Sequence, residues 1–268
     1  MATAMLDHQH LTASVAALRG HAATRLAGKI ITVLSPKGGQ GKSTFAKELA
    51  WLLDAILVDL DWDGGRVSRL LGYQTARYVR APLLDALFDP QGRPPRIHRS
   101  RNRPDMVPGH RDFEPNQPEP DAMAELLIAW SQGWARPMVI DTHPGGSRST
   151  LGAAQAADLV IMPVILGTGE LDAVEDALDE LADFNLLLVP NHVPTNPAHL
   201  PGYESRRLLA LAQRHRVGVA DTFVRHHGWM PRRRIRTVIT ARTTHGTNSA
   251  ALTRDLTALA QEVLTHAA

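Results

Sequence analysis

The feature that most narrows what this chain can fold into is Ser35-Pro36-Lys37-Gly38-Gly39-Gln40-Gly41-Lys42-Ser43-Thr44. It sits between two stretches of different character. Before it, Ile30-Ile31-Thr32-Val33-Leu34 is a β-branched run that reads as a buried strand; after it, Ser43 to Leu53 reads as a helix. A glycine-rich loop leading from a strand into a helix N-terminus is the setting of a phosphate-binding loop. The glycines let backbone N–H groups converge on phosphate oxygens without Cβ clashes, and the helix N-terminus adds partial positive charge. Lys42 is placed to reach β- and γ-phosphates, and the Ser43 hydroxyl to ligate Mg2+. The general motif starts with glycine five positions before Gly41, where this chain has Pro36. The string instead matches K-G-G-x-G-K-[ST], in which Lys37 is a second cation.

The rest of the chain supplies the frame for such a loop. Short apolar runs at Ile56-Leu57-Val58, Met138-Val139-Ile140, Leu159 to Met162 and Leu186 to Val189 read as strands. Helical patterns fall at about 121–132, 169–183 and 204–215, and 249–264 carries Leu252, Leu256, Leu259 and Val263 on one face. Strands alternating with helices predict an α/β fold: a mostly parallel, twisted sheet with helices on both faces. Ligands bind such sheets at the strands' carboxyl ends. Residues 29–268 are expected to form one domain, preceded by an extension over 1–28 with a weak helical pattern around Leu11 to Leu18. The proline- and arginine-rich 90–120 region is expected to be an exposed excursion with at most a short strand at Asp105-Met106-Val107.

Carboxylates stand where two of these strands end. One run is Val58-Asp59-Leu60-Asp61-Trp62-Asp63-Gly64; the other is Ile140-Asp141-Thr142-His143-Pro144-Gly145-Gly146. An apolar strand ending in aspartate is the form of the metal-side acid in P-loop enzymes, which assigns Asp141 to Mg2+ along with Ser43. His143 reads as a loop residue, because phosphoryl transfer needs positioning and charge neutralisation more than a base.

Composition removes several chemistries. The chain has no cysteine, which excludes disulfides, thiolate metal sites and cysteine-held clusters. No basic segment followed by an apolar run opens the sequence, and no apolar stretch approaches the roughly 18 residues of a membrane span, so a cytoplasmic protein is expected. Formal net charge is +2, but arginine is clustered, at Arg96 to Arg111 and from Arg206 to Arg242, with an acidic stretch from Glu170 to Asp183 between. That asymmetry predicts a polarised surface.

The motifs resemble those of the ParA/MinD family of deviant P-loop ATPases, from about Lys29 to the C-terminus. The resemblance implies an ATPase hydrolysing ATP to ADP and phosphate, with ATP and Mg2+ held by Lys37, Gly38, Gly39, Gln40, Gly41, Lys42, Ser43 and Thr44. It implies that Lys37 crosses a dimer interface to the partner's nucleotide, so that ATP closes a homodimer. The family's D-x-D-P-Q-G pattern matches Asp59 and Asp61 but not Trp62-Asp63, and His143 stands where the family usually has the first of two prolines. By resemblance Asp61 orients or activates the attacking water, Asp59 supports Mg2+ through water, and Asn191 reads the adenine edge. The nearest functional likeness is to ParA-type partition ATPases, which bind DNA without sequence preference and answer to a ParB-like stimulating partner. Arg225, Arg232, Arg233, Arg234 and Arg236 are the candidate DNA contacts, and nucleoid association follows if they bind. A MinD-like membrane positioner, a carboxysome-type positioner and an ATP-dependent ligase of the same superfamily are the alternatives. The C-terminus lacks the basic amphipathic face that the membrane reading needs.

Overall fold

A computed structural model describes residues 2–63, 66–73, 81–230, 238–242 and 246–268. An eight-stranded parallel sheet forms its centre, with β1 (Ile30–Val33), β2 (Ile56–Asp59), β3 (Met106–Val107), β4 (Met138–Asp141), β5 (Leu159–Ile165), β6 (Leu186–Val193) and β7 (Gly218–Val219) in the order β3-β2-β4-β1-β5-β6-β7; β8 (Val224–Arg225) also pairs with β6. The strand before the phosphate loop is therefore central, flanked by β4 and β5.

Side chains alternate between the sheet's faces, as strand geometry requires. Ile31, Val33, Leu57, Val139 and Ile161 turn to one face. They pack against α1 (Ala2–Arg25), α2 (Lys42–Leu52) and α9 (Thr247–Ala267) through Val15, Leu18, Phe45, Leu49, Leu256 and Val263. On the other face Ile30, Ile56, Val58 and Ile140 meet Met123, Leu127 and Trp130 of α5 (Pro120–Trp134). Farther along that face, Val160, Met162 and Leu188 meet α7 (Thr168–Leu181) and α8 (Gly202–His215). Burying such aliphatic side chains is worth about 1.5–3 kcal/mol each, so coverage on both faces is what holds this parallel sheet together.

The first 28 residues do more than extend the chain. Leu11, Val15, Leu18, Ala22 and Leu26 are buried, the last two completely. Arg19 fixes the helix by stacking 3.8 Å over the Trp51 ring while bonding the Trp51 carbonyl and the Asp54 carboxylate. The apolar stripe of α1 is thus part of the same core that supports α2. The 90–120 excursion contributes β3 at the sheet edge and a short 3-10 turn, Arg111–Asn116, that buries Phe113.

Charge is paired more closely than the clusters predict. The acidic α7 lies against the basic α8: Arg207 bonds Asp172 at 2.7 Å and Glu175 at 2.8 Å, and Arg214 bonds Glu175 at 2.6 Å. Some of the polarised surface expected from the sequence is therefore a pair of helices neutralising each other. Among the described residues, no helix is long and apolar enough to cross a membrane.

Candidate functional site

The phosphate loop leaves β1 and is braced from several sides. The Ser35 hydroxyl donates to the Lys37 carbonyl at 2.7 Å, and the Gly145 N–H reaches the Ser35 carbonyl at 3.2 Å. Gln40 is used structurally, its side-chain oxygen accepting from the Ile165 N–H at 3.0 Å. Gly41 caps α2 with φ of 104°, a left-handed value that glycine adopts without strain. A Cβ there would lie 2.5 Å from the Asn191 amide nitrogen. Lys42 follows, only 7% exposed, with the Ser43 and Thr44 positions beside it on the first turn of α2.

Strand register brings the carboxylates to this loop. Val33 pairs with Asp141 across β1–β4, and Asp141 with Asp59 across β4–β2. Paired positions on adjacent parallel strands place their side chains on the same face. Two completely buried aspartates therefore stand side by side at the carboxyl end of the sheet.

Their surroundings differ. Asp59 is already well bonded: one oxygen accepts from the Asp61 N–H at 3.0 Å, the other from the Ser68 N–H at 3.1 Å and the Ser68 hydroxyl. Gly109 closes in behind, where a Cβ would stand 3.0 Å from the Asp59 carboxyl carbon and backbone oxygen. Burial pushes Asp59 up to about 7, partly restrained by the Ser68 hydrogen bond. By strict hydrogen-bond geometry neither Asp141 oxygen has a partner in the described structure, although the Ser43 hydroxyl stands close enough to favour its charge. Burial, then the Asp59 charge, raises it well above the ordinary carboxylate range, while Lys42 and Ser43 pull the other way. Asp61 is 6% exposed and also raised by burial; a hydrogen bond from the Asp63 N–H at 3.1 Å and the nearness of His143 and Lys42 oppose the rise.

An unsatisfied, buried carboxylate beside a serine at a helix N-terminus is a good fit for a divalent cation, since hard cations take carboxylate and hydroxyl oxygens. Ser43 and Asp141 are the residues able to hold Mg2+. Asp59, with both oxygens engaged by its own loop and by Ser68, is better suited to holding that loop than to direct metal contact.

The cleft beside the loop has a volume of about 530 Å3. Gly38, Gly39, Gly41 to Thr44, Asp61 and Pro144 line one side of it, and Asn191, His192, Val224 to His227, Met230 and Leu252 another. Asn191, 3% exposed, donates its amide to the Gln40 carbonyl at 2.7 Å and so ties β6 to the phosphate loop. Arg225 lines this cleft and grips Asp255 of α9, with guanidinium contacts from 2.5 to 3.1 Å. Arg232, Arg233, Arg234 and Arg236 lie outside the described residues. The Lys37 ammonium is exposed and donates to the Gly169 carbonyl of its own chain at 2.6 Å.

Ser68, Gly109 and the His192–His226–His227 group were not singled out by sequence reading. Ser68 and Gly109 reach Asp59 from 9 and 50 residues away, with no motif to mark them. His192 lies near the end of β6, and His226 and His227 follow β8, which is two residues long and carries no periodic signal.

The arrangement matches known structures. A variant of Cyanothece McdA in complex with ATP superposes with a TM-score of 0.64 at 16% identity, covering 87% of this chain and 96% of that one. The Pyrococcus furiosus cell division ATPase MinD gives 0.63 at 18% identity, covering 88% and 98%. The fold is that of the ParA/MinD-type P-loop ATPases. Cobyrinic acid a,c-diamide synthase from Mycobacterium smegmatis, with bound ADP and magnesium, shares it too, at a TM-score of 0.59 and 20% identity over 89% of this chain and 94% of that one. No protein-family model matches the sequence. No curated protein matches it either.

Proposed function

We propose that this protein is a ParA-like ATPase. It hydrolyses ATP to ADP and phosphate, closes into a homodimer around ATP, and binds DNA without sequence preference in plasmid or chromosome partition. The observation that carries the reading is the two-lysine phosphate loop facing an unsatisfied buried carboxylate, Asp141, with Asp61 on the wall of the same cleft.

In this reading the phosphates lie on the loop N–H groups and the start of α2, with Lys42 against the β- and γ-phosphates. The far end of the cleft, at Asn191 and the following strand ends, takes the base. Mg2+, when bound, supplies charge neutralisation at the phosphates from Ser43 and Asp141. Asp61 orients a water whose oxygen forms a bond to the γ-phosphorus as the bond from that phosphorus to the bridging oxygen breaks. ADP leaves with the electron pair, and the proton of the water passes to phosphate or solvent. Lys37, leaving the Gly169 carbonyl, neutralises the partner's nucleotide where two sets of phosphates face each other.

Sizing the protein with ATP and with ADP, in wild type and in the hydrolysis-blocked Asp61→Ala variant, tests the switch. Dimers in ATP and monomers in ADP are expected; a monomer in both states overturns it. A gel shift at low and high salt tests DNA binding. ATP-dependent binding should weaken when Arg232, Arg233 and Arg234 are replaced by Glu. ATP-dependent dimers that fail to shift DNA at low salt would remove partition and leave protein-cargo positioning or ligase chemistry.

A further inference from the structure

Two sequence positions depart from the pattern that this site otherwise follows, and they meet. Trp62 stands after the Asp61 position and His143 after Asp141-Thr142, on different loops. Their rings are stacked, with centroids 4.0 Å apart and planes 7° from parallel. Each ring is fixed from its other sides. Trp62 leans on buried Phe113, 6.2 Å away at 58°. His143 donates from Nδ1 to the Pro144 carbonyl at 2.8 Å, and its own carbonyl accepts from the Thr150 hydroxyl at 3.3 Å. Thr150 in turn bonds Ser147, the residue capping α6 (Arg148–Ala156). The imidazole is thus tied to a helix start and the indole to the core.

We propose that the Trp62–His143 stack is a positioning contact that holds the Asp61 carboxylate against the nucleotide cleft by clamping the β2 loop to the β4 loop. Among the described residues the hydrogen bonds of Asp61 are local to its own loop, while Lys42 and His143 act on its carboxylate through charge. It is held by an N–H bond to Asp59 behind it and by the Asp63 N–H on its carboxylate, and Trp62 is the residue between. Asp61 and Pro144, the direct neighbours of the stacked residues, both line the cleft. A proline after Asp61 would restrict the backbone through its ring. Here an aromatic contact across two loops supplies the restriction, and so makes the placement of Asp61 depend on the loop that carries Asp141. Neither ring touches the reacting atoms. Stacked aromatic pairs contribute enough that losing one shifts a local equilibrium by about two- to tenfold.

The proposal rests on the ATPase reading for its kinetic consequence only, and the test separates the two. The full-length variants are Trp62→Ala, Trp62→Phe, His143→Ala, His143→Phe and the double alanine. Three quantities are measured: turnover at saturating Mg-ATP, nucleotide affinity, and amide exchange at Asp63, whose N–H bonds the Asp61 carboxylate. Both single alanine variants should speed Asp63 exchange and lower turnover by about two- to tenfold with unchanged nucleotide affinity. The double variant should lose no more than either single one, and the phenylalanine variants, which keep a stack, should recover. Unchanged Asp63 exchange, additive losses, or phenylalanine variants no better than alanine overturn the proposal. Faster Asp63 exchange with undiminished turnover leaves the positioning intact and overturns the assignment of Asp61 to hydrolysis.

Discussion

Replacing Asp141 with Asn should stabilise the nucleotide-free protein while removing its response to Mg-ATP. The carboxylate is completely buried, neither oxygen is hydrogen-bonded within the described structure, and Asp59 is its register partner. Leaving a buried charged group unsatisfied costs about 1–3 kcal/mol or more, and Lys42 and Ser43 return some of that. Asparagine keeps the shape and removes the charge but still leaves amide atoms to satisfy, so a net gain of about 1–2 kcal/mol is expected. For a chain of this size that is a rise of roughly 2–8 °C in Tm. The sign of the pH dependence follows from the direction of the shift. The folded-state pKa is raised, so the folded protein holds this proton more tightly than the unfolded chain does. That stability is present at acid pH and decays as pH rises from the ordinary carboxylate range through the folded pKa. The wild-type apo protein should therefore lose stability to this group toward neutral and alkaline pH, and Asp141→Asn should flatten the curve. With Mg-ATP the order reverses: ligand at a hundredfold excess over Kd adds about 2.7 kcal/mol to wild type. Much less should be added to the variant. Thermal melts from pH 5 to 8, with and without Mg-ATP, read all of this. An apo variant no more stable than wild type at neutral pH, or an equal Mg-ATP shift in both proteins, refutes the reasoning.

Glu48→Ala should be among the most damaging changes away from the cleft. This buried glutamate of α2 pairs with Lys47 and accepts from the Ile239 N–H and Thr240 N–H at 3.0 Å and the Thr240 hydroxyl at 2.8 Å. Burial opposes its charge, but Lys47 and those donors hold its pKa below the usual range. Breaking a buried pair costs about 3–5 kcal/mol, measurable by urea unfolding; a loss under about 1 kcal/mol would contradict it. Gly41→Ala should weaken ATP binding by at least tenfold in calorimetry, because its φ of 104° and the Asn191 amide 2.5 Å from the added Cβ both resist a side chain. Lys42→Ala should abolish nucleotide binding, whereas Lys37→Ala should bind ATP and fail mainly in dimerisation and turnover. Equal loss of ATP binding in the two would contradict that division.

Much of the frame was legible because it rests on local signals. The five central strands and the helices at 121–132, 169–183 and 204–215 are found within a few residues of their expected bounds, since burial on both faces demands continuous apolar runs and helices show their stripe. β7, β8 and α4 (Pro82–Leu87) were not foreseen: two residues of strand or six of helix hold too few apolar positions to show a period. At the site, strand-end aspartates are visible in sequence, but their difference is not. Asp59 and Asp141 end similar apolar strands. Asp59 gains Ser68, itself bonded by the Gly109 N–H, in addition to the Asp61 N–H of its own loop, whereas no such loop partner reaches Asp141. Likewise Trp62 and His143 look like two unrelated departures until the loops face each other.

The arginines show the reverse error, where sequence suggests more than geometry supports. Counting from Arg206 to Arg242 treats every guanidinium as available to phosphate. Arg207 and Arg214 are held by Asp172 and Glu175, and Arg225 by Asp255, so a DNA phosphate would have to compete with charge-assisted bonds already made. Among the described residues Arg206, Arg216 and Arg242 are exposed and are better candidates; Arg232, Arg233, Arg234 and Arg236 lie outside them. This changes how the DNA test must be read. Arg225→Glu would face Asp255 with a second negative charge and loosen α9 from β8, so lost DNA binding in that variant would report damage to the fold. Four phosphate contacts give a salt slope of about −3.6 in log K against log salt. If the surface arginines make those contacts, the slope stays near that value when Arg225 is changed to Gln, and shrinks by about 0.9 for each exposed arginine removed. A slope that instead falls by about 0.9 with Arg225→Gln, in a variant that melts like wild type, would place a DNA contact at the cleft wall and refute the division drawn from the ion pairs.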